Sequence, residues 1–235
     1  MGRLPPVAPL ISIVVPVFNE SATVAAVIRR LLDVPLPAPR EILVVNDGST
    51  DGTRGVLDAL PEHEAVRIIH MPVNGGKGRA IRTGFAEARG TIVAIQDADL
   101  ELDPAQLADL VAPILAGEAR VVYGSRFLLP LSKAPWLTVV ANRTLTLVTN
   151  LLYGGRITDM ETCYKIMETG VARGLRLESD RFDIEPEITA KLLRQGHTIV
   201  ERPVRFEPRS RAQGKKIGWR DGVRALQVLV KHRWS

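Results

Sequence analysis

Cysteine occurs once in the 235 residues, at Cys163. No internal disulfide framework is available, and a reducing compartment is the expectation. Long apolar runs are missing too: none approaches the roughly 18 residues of a membrane span. The first ten residues, MGRLPPVAPL, carry prolines where a secretory signal needs an apolar segment, and Pro6 stands where a myristoylation pattern wants Ser or Thr. The four histidines (His63, His70, His197, His232) are scattered without zinc spacing. Neither GxxxxGK(S/T) nor GxGxxG occurs, which excludes a P-loop NTPase and weakens a dinucleotide oxidoreductase. No serine sits in a nucleophile elbow, and Cys163 has no evident base partner. The expectation is a cytoplasmic protein that is not integral to a membrane.

What is present is ordinary in bulk, with 46% hydrophobic and 24% charged residues, enough for one domain with a sizeable core. The charge is unevenly placed. Residues 202–235 hold ten Lys or Arg against Glu207 and Asp221, although the whole chain is only +5. A basic tail on a near-neutral body points to an anionic partner met by the tail.

Strand and helix patterns alternate along the first half. Strands are expected at Ile11–Val17, Glu41–Val45, Val66–Met71, Thr91–Ile95 and Val121–Ser125. Between them, helices are expected from a Ser21 cap through Leu32, from an Asp51 cap through Leu60, after Asn74–Gly78, and over Pro104–Ala116 behind an Asp103 cap. Further on, Trp136–Tyr153 and Ile184–Gln195 read as helices, DMETCYKIM (Asp159–Met167) as a strand entry, and Thr198–Phe206 as a strand. The fold class is therefore α/β, with a mostly parallel central sheet between helical layers, and its ligands lie beyond the carboxyl ends of the strands. Residues 1–208 read as the domain body; 209–235 read as a basic loop and amphipathic helix of that same domain.

Chemistry concentrates at those strand ends. TIVAIQDADLELDP delivers Asp97, Asp99 and Glu101 in alternation, oxygen ligands of the kind a hard divalent cation takes. NGGKG (Asn74–Gly78) opens a helix with glycines that let backbone N–H groups approach a phosphate, with Lys77 adding charge; it also reads as a plain helix start. Asp47 is a partner for a base or ribose, or else an Asx-turn with Gly48. Arg126 in GSRF and Arg143 in the Trp136 helix either meet phosphate or lie at the surface.

Jointly, VPVFNE (Val15–Glu20), VVNDGSTDGT (Val44–Thr53), NGGKGRAIRTGF, DADLELDP and GSRF resemble the family 2 glycosyltransferases of GT-A fold. DMETCYKIM and GKKIGWRDG are similar to the polyprenyl-phosphate branch, which includes dolichol-phosphate mannose and glucose synthases. Two departures stand out: Glu101 occupies a position that is commonly Gln there, and the C-terminal membrane spans of many relatives are missing here. The resemblance implies inverting transfer of a hexose from a nucleotide diphosphate sugar, GDP-mannose or UDP-glucose, to a polyprenyl phosphate. It implies Mg²⁺ or Mn²⁺ on Asp99, with Asp97 and Glu101 assisting. Pro16, Glu20, Asp47, Lys77 and Asp97 would bind the nucleotide sugar, and Arg126, Arg143 and Arg211 the acceptor phosphate. A phosphate acceptor needs no base; a hydroxyl acceptor would, with Asp159 as candidate or else as a capping loop residue. The alternatives are a soluble or saccharide hydroxyl acceptor and a non-catalytic nucleotide-binding module.

Trp219, Val223, Leu226 and Val230 recur along one helical stripe, with Arg220, Arg224, Gln227 and Lys231 on another. That helix either lies in a membrane headgroup layer, making a peripheral contact at the cytosolic face, or packs its apolar stripe on the core. Nucleic acid is not the expected partner, because the tail offers only Phe206, Trp219 and Trp234 for stacking.

Overall fold

The computed structural model describes residues 8–130, 135–208 and 219–234, with the backbone alone at 219–221. Strand β1 (Ile11–Val17) is buried at all seven positions. It pairs in parallel with β2 (Arg40–Asn46) on one edge and β4 (Ile92–Ile95) on the other. A strand covered on both edges and both faces reads as an unbroken apolar run, as ISIVVPV does. Its one polar side chain, Ser12, donates to Glu41 Oε1 at 2.5 Å and accepts the Gly90 N–H at 2.8 Å, so it is satisfied within the core.

With β3 (Val66–His70), β5 (Val121–Ser125), β6 (Lys165–Glu168) and β7 (Val200–Pro203), the sheet order is β3-β2-β1-β4-β6-β5-β7. Only β6 is reversed, antiparallel to both β4 and β5. The chain moves from β1 outward to β2 and β3, then returns to place β4 on the other side of β1. Right-handed crossovers put the helices of those two excursions on opposite faces, and the crevice between β1 and β4 is the topological switch point.

Helices α1 (Val24–Asp33), α2 (Thr53–Asp58), α3 (Lys77–Glu87) and α4 (Leu107–Leu115) follow the first strands as expected. α1 buries Val24, Val27, Ile28 and Leu31, the apolar stripe visible in its sequence. α3 sits close on β1 because Gly84 has no side chain: a Cβ there would lie 2.3 Å from Val14 Cγ1. Asp103 caps the 3₁₀ turn that precedes α4 by accepting the Ala105 N–H at 3.1 Å. Ser21 does not cap α1, which begins only after Thr23. Asp51 accepts the Thr53 N–H at 2.9 Å at the start of α2.

The second half departs more from expectation. α5 (Trp136–Tyr153) has the expected bounds and ends at left-handed Gly154. Residues 159–164 are loop, so β6 starts only at Lys165, and a short α6 (Thr169–Gly174) follows that the periodicity does not reveal. α7 (Ile184–Arg194) and α8 (Trp219–Trp234) pack on each other, and α5 joins α8 where Tyr153 Oη donates to the Leu229 carbonyl at 2.6 Å.

Candidate active site

The parallel strands deliver their C-terminal loops to one rim of the sheet. Because β6 runs backwards, the loop leading into it, 159–164, arrives at that same rim between the ends of β4 and β5. A cavity of about 400 Å³ opens there, within the usual range for a small-molecule site. Along the sheet its lining runs in strand order: Asp47 after β2, Pro16 to Glu20 around the end of β1, Asp97 to Glu101 after β4, Glu161 before β6, and Arg126 and Phe127 after β5. Lys77, at the N-terminus of α3, reaches in from above.

Asp47 is 2% exposed, and both its oxygens face inward to the glycine loop. They accept the N–H groups of Gly75 at 2.8 Å and Gly76 at 2.7 Å. This corrects two readings. Asp47 does not form an Asx-turn with Gly48, and those two N–H groups are not a phosphate cradle, because the carboxylate already occupies them. Gly76 has φ +96°, and a Cβ on it would lie 2.3 Å from the Asp180 carbonyl oxygen, so glycine is required where the loop meets 179–181. Glu20 lies nearby, accepting from Thr23 Oγ1 at 3.0 Å.

The loop's positive charge is Lys77, whose ammonium stands 2.9 Å from Asp97 Oδ1 and 3.0 Å from Glu185 Oε1. Burial works against that charge, but Asp97 and Glu185 outweigh it and hold the lysine well above its ordinary pKa. Burial likewise pushes the Asp97 carboxyl up, and Lys77 overcomes this to hold it below the usual range. Glu185 continues inward to Lys165 at 2.6 Å, which is fully buried and also donates to the Met160 carbonyl at 2.9 Å. Asp97, Lys77, Glu185 and Lys165 thus alternate in sign from the cavity wall into the core. Glu185 and Lys165 are not legible as site residues in the sequence: Glu185 opens a helix, where an acid ordinarily complements the dipole, and Lys165 begins a strand.

Asp99 Oδ1 accepts the Glu101 N–H at 3.1 Å across a turn in which Leu100 takes φ +63°, a left-handed conformation held at the cavity rim. Asp97, Asp99 and Glu101 line one wall, yet they do not close into a cage. Among the described residues no three His, Cys, Asp or Glu side chains are arranged to hold a metal ion. That donor set still fits a cation of the Mg²⁺ type, which takes one or two protein carboxylates and completes its shell with phosphate oxygens and water.

Arg126 and Asp159 are brought together rather than apart. The guanidinium donates Nε to Oδ2 and Nη2 to Oδ1, both at 2.7 Å, and the Arg126 backbone N–H adds a third bond at 3.0 Å. Asp159 is 0% exposed. Of the two readings of Asp159, this geometry fits the residue that fixes the chain, holding Arg126 in place. Arg126 also lies 5.2 Å from the Phe206 ring centroid and 5.9 Å from that of Phe127. Arg143 stacks on Phe127 at 5.3 Å and lines a shallower depression beside the main cavity. The two arginines share an aromatic ring rather than a common anion site. Arg211 lies outside the described residues. Cys163 is buried, and burial pushes its thiol well above the ordinary value, so it is no nucleophile.

A mostly parallel sheet with an acid-rich rim at its switch point is the GT-A glycosyltransferase architecture. The Glycosyl transferase family 2 model matches residues 12–180, and the chain belongs to that family; it is a glycosyltransferase. It is 28% identical to glycosyltransferase AglD of Haloferax volcanii over 85% of this chain, which spans only 33% of that protein. It is 29% identical to polyprenol monophosphomannose synthase of Mycolicibacterium smegmatis, covering 88% of this chain and 80% of the other. Among solved structures, glucosyl-3-phosphoglycerate synthase from Mycobacterium tuberculosis, in complex with Mn²⁺, UDP and phosphoglyceric acid, superposes with a TM-score of 0.74. That match has 20% identity, covers 96% of this chain and 78% of the other, and concerns the fold.

Proposed function

We propose that the protein transfers a hexose from a nucleotide diphosphate sugar to a polyprenyl phosphate at the cytosolic face of a membrane. The observation that carries this reading is the order of charges along the rim: carboxylates after β4, with Lys77 beside them, and a cationic Arg126 after β5. A donor diphosphate suits the first station and an acceptor phosphate the second. The polyprenyl-phosphate acceptor is supported by the kinship with polyprenol monophosphomannose synthase.

Pro16 and Glu20 flank the nucleoside end, and Asp47 shapes the loop that presents Lys77 to the diphosphate. Asp97, Asp99 and Glu101 would hold Mg²⁺ or Mn²⁺, which when bound neutralises the charge that develops on the leaving nucleotide. Arg126, preset by Asp159, orients the acceptor phosphate with its planar donors. Because that phosphate is already anionic near neutral pH, no side chain has to remove a proton from it.

Two helices support the membrane contact. On α8, Val223, Leu226, Val230 and Trp234 form an exposed stripe, whereas Ala225, Leu229 and His232 are buried. Of the apolar stripe that would pack on the core if the helix were merely structural, Val223, Leu226 and Val230 are therefore at the surface. The side chains of Trp219 and Arg220 and the basic loop with Arg209, Arg211, Lys215 and Lys216 lie outside the described residues. α5 adds Trp136, Leu137, Val140, Leu147 and Leu151, all exposed. Apolar stripes bordered by basic residues suit an anionic headgroup layer. No helix among the described residues is long and apolar enough to cross a membrane.

The test is transfer of labelled sugar from UDP-glucose or GDP-mannose, with Mn²⁺, to undecaprenyl phosphate in anionic vesicles and to a soluble alcohol. Preference for the lipid phosphate, with co-sedimentation on anionic rather than neutral vesicles, supports the reading. Better transfer to the alcohol, without vesicle binding, overturns it.

A further inference from the structure

One carboxylate at the rim has no place in the scheme above. Glu161 lies in the loop before β6 and lines the cavity. Its Oε1 is closed off from solvent and has no hydrogen-bond partner among the described residues. A buried, unpartnered oxygen beside a cavity is costly unless a ligand or a proton compensates it. The loop is not adventitious. The Asp159 N–H donates to Glu201 Oε1 at 3.1 Å, the Met160 N–H donates to Thr146 Oγ1 at 3.0 Å, and Lys165 ties down the Met160 and Thr162 carbonyls. Glu161 is held where it is.

Its station follows from the sheet. β4 ends in the carboxylates of the diphosphate station, β5 ends in Arg126, and β6 lies between them. Neighbouring strands stand about 4.8 Å apart, so the two stations are separated by roughly 10 Å, the space a sugar ring between two phosphates would fill. Glu161 rises from the intervening position. Resting on the donor and acceptor stations proposed above, we propose that Glu161 hydrogen-bonds a hydroxyl of the sugar in transfer and so helps select which sugar is moved.

The surroundings suit a carboxyl that both donates and accepts. Burial pushes Glu161 up to about 7; Lys165 and Arg126 oppose this, and the nearby Glu185 and Asp159 add to it. A protonated carboxyl offers an O–H and a carbonyl oxygen, the same pair of functions as a side-chain amide. Glutamine should therefore replace it well and alanine should not.

The experiment is calorimetric titration of wild type, Glu161→Gln and Glu161→Ala with UDP, GDP, UDP-glucose and GDP-mannose, each with Mn²⁺, after a melting curve has confirmed that each variant folds. The expected result is that Glu161→Ala binds the nucleoside diphosphates as wild type does. It should bind the preferred nucleotide sugar roughly threefold to tenfold more weakly, the loss expected for one hydrogen bond. Glu161→Gln should stay within about twofold of wild type for all four, as one retained hydrogen bond requires. Unchanged nucleotide-sugar binding by Glu161→Ala overturns the assignment, as does an equal loss for nucleotides with and without sugar. Glu161→Gln that binds donor normally but cannot transfer to a hydroxyl acceptor also overturns it, and makes Glu161 a base instead. Wild type that binds none of the four ligands refutes the glycosyl-donor reading itself, and this assignment with it.

Discussion

The guanidinium of Arg126 and the carboxylate of Asp159 meet through two parallel hydrogen bonds of 2.7 Å, with the carboxylate wholly buried and the arginine side chain 13% exposed. Burial disfavours the arginine's charge, but Asp159 outweighs it and raises the pKa further. The pair fixes the plane of the guanidinium before any substrate arrives.

Asp159→Asn removes the countercharge and leaves Arg126 enclosed without it. Breaking one side of a buried pair costs about 3–5 kcal/mol, and a loss of that order is expected in urea denaturation. Arg126→Lys keeps the charge but lacks the fork. It should raise the KM for the acceptor phosphate roughly tenfold or more, about the loss of one charge-assisted hydrogen bond, and leave nucleotide binding unchanged. An unchanged acceptor KM would make Arg126 a structural residue only.

Asp99→Asn tests the metal station. Removing one negative charge from the cation's ligands should abolish transfer while leaving the melting temperature within a few degrees of wild type. EDTA should inactivate the wild type, and Mn²⁺ or Mg²⁺ should restore it. Full activity in EDTA would remove Asp97, Asp99 and Glu101 from any metal role.

Asp47→Ala tests the clamp on the glycine loop. Two N–H groups, those of Gly75 and Gly76, lose their acceptor, at a cost of about 1–3 kcal/mol for each that stays unsatisfied. With the loop loosened, UDP or GDP binding should weaken along with stability. A variant that loses stability but binds nucleotide normally would confine Asp47 to the fold.

Glu161 should leave a signature in stability against pH. Its folded pKa, about 7, lies above the unfolded value of 4.5. The fold therefore favours the protonated form, and that stabilisation is present below about pH 4.5 and lost as pH rises through 7. Glu161→Gln never ionises. Relative to wild type it should be near neutral at pH 4.5 and stabilising by on the order of 1–3 kcal/mol at pH 8, read from urea midpoints. Equal effects at both pH values would contradict this environment.

Much of the frame is legible in the chain because buried parallel strands announce themselves. ISIVVPV and EILVV are continuous apolar runs bounded by turn residues, and the helices between them carry clean stripes. The rim carboxylates are legible for the same reason, since they follow directly on such a run. DMETCYKIM announces a strand entry, and β6 begins within it, but the reversal is not legible, because four residues of strand carry no sign of their direction. With it, the juxtaposition of Glu161, Lys165 and Glu185 with Asp97 stays hidden. Asp47 misleads in a different way: Asp-Gly reads as a local turn, whereas its acceptors are filled by residues 28 and 29 positions away. Long-range pairing of that kind is set by topology rather than by neighbours in sequence.

The backward entry of β6 also separates two kinds of change. The rim residues after β1, β2 and β4 hang on strands whose register is locked on both edges, so alterations there disturb the sheet. Residues 154–164 instead form a loop that leaves α5 at left-handed Gly154 and is tied along its length, with Thr158 and Asp159 bound to Glu201, before Lys165 starts the strand. Within it Asp159, Met160 and Thr162 are tied to Arg126, Thr146 and the Gly124 carbonyl, whereas Glu161 faces the cavity, so a change at Glu161 leaves every strand pairing in place. If the proposed function holds, Glu161 is therefore the position at which sugar preference can be altered with the rest of the fold unchanged.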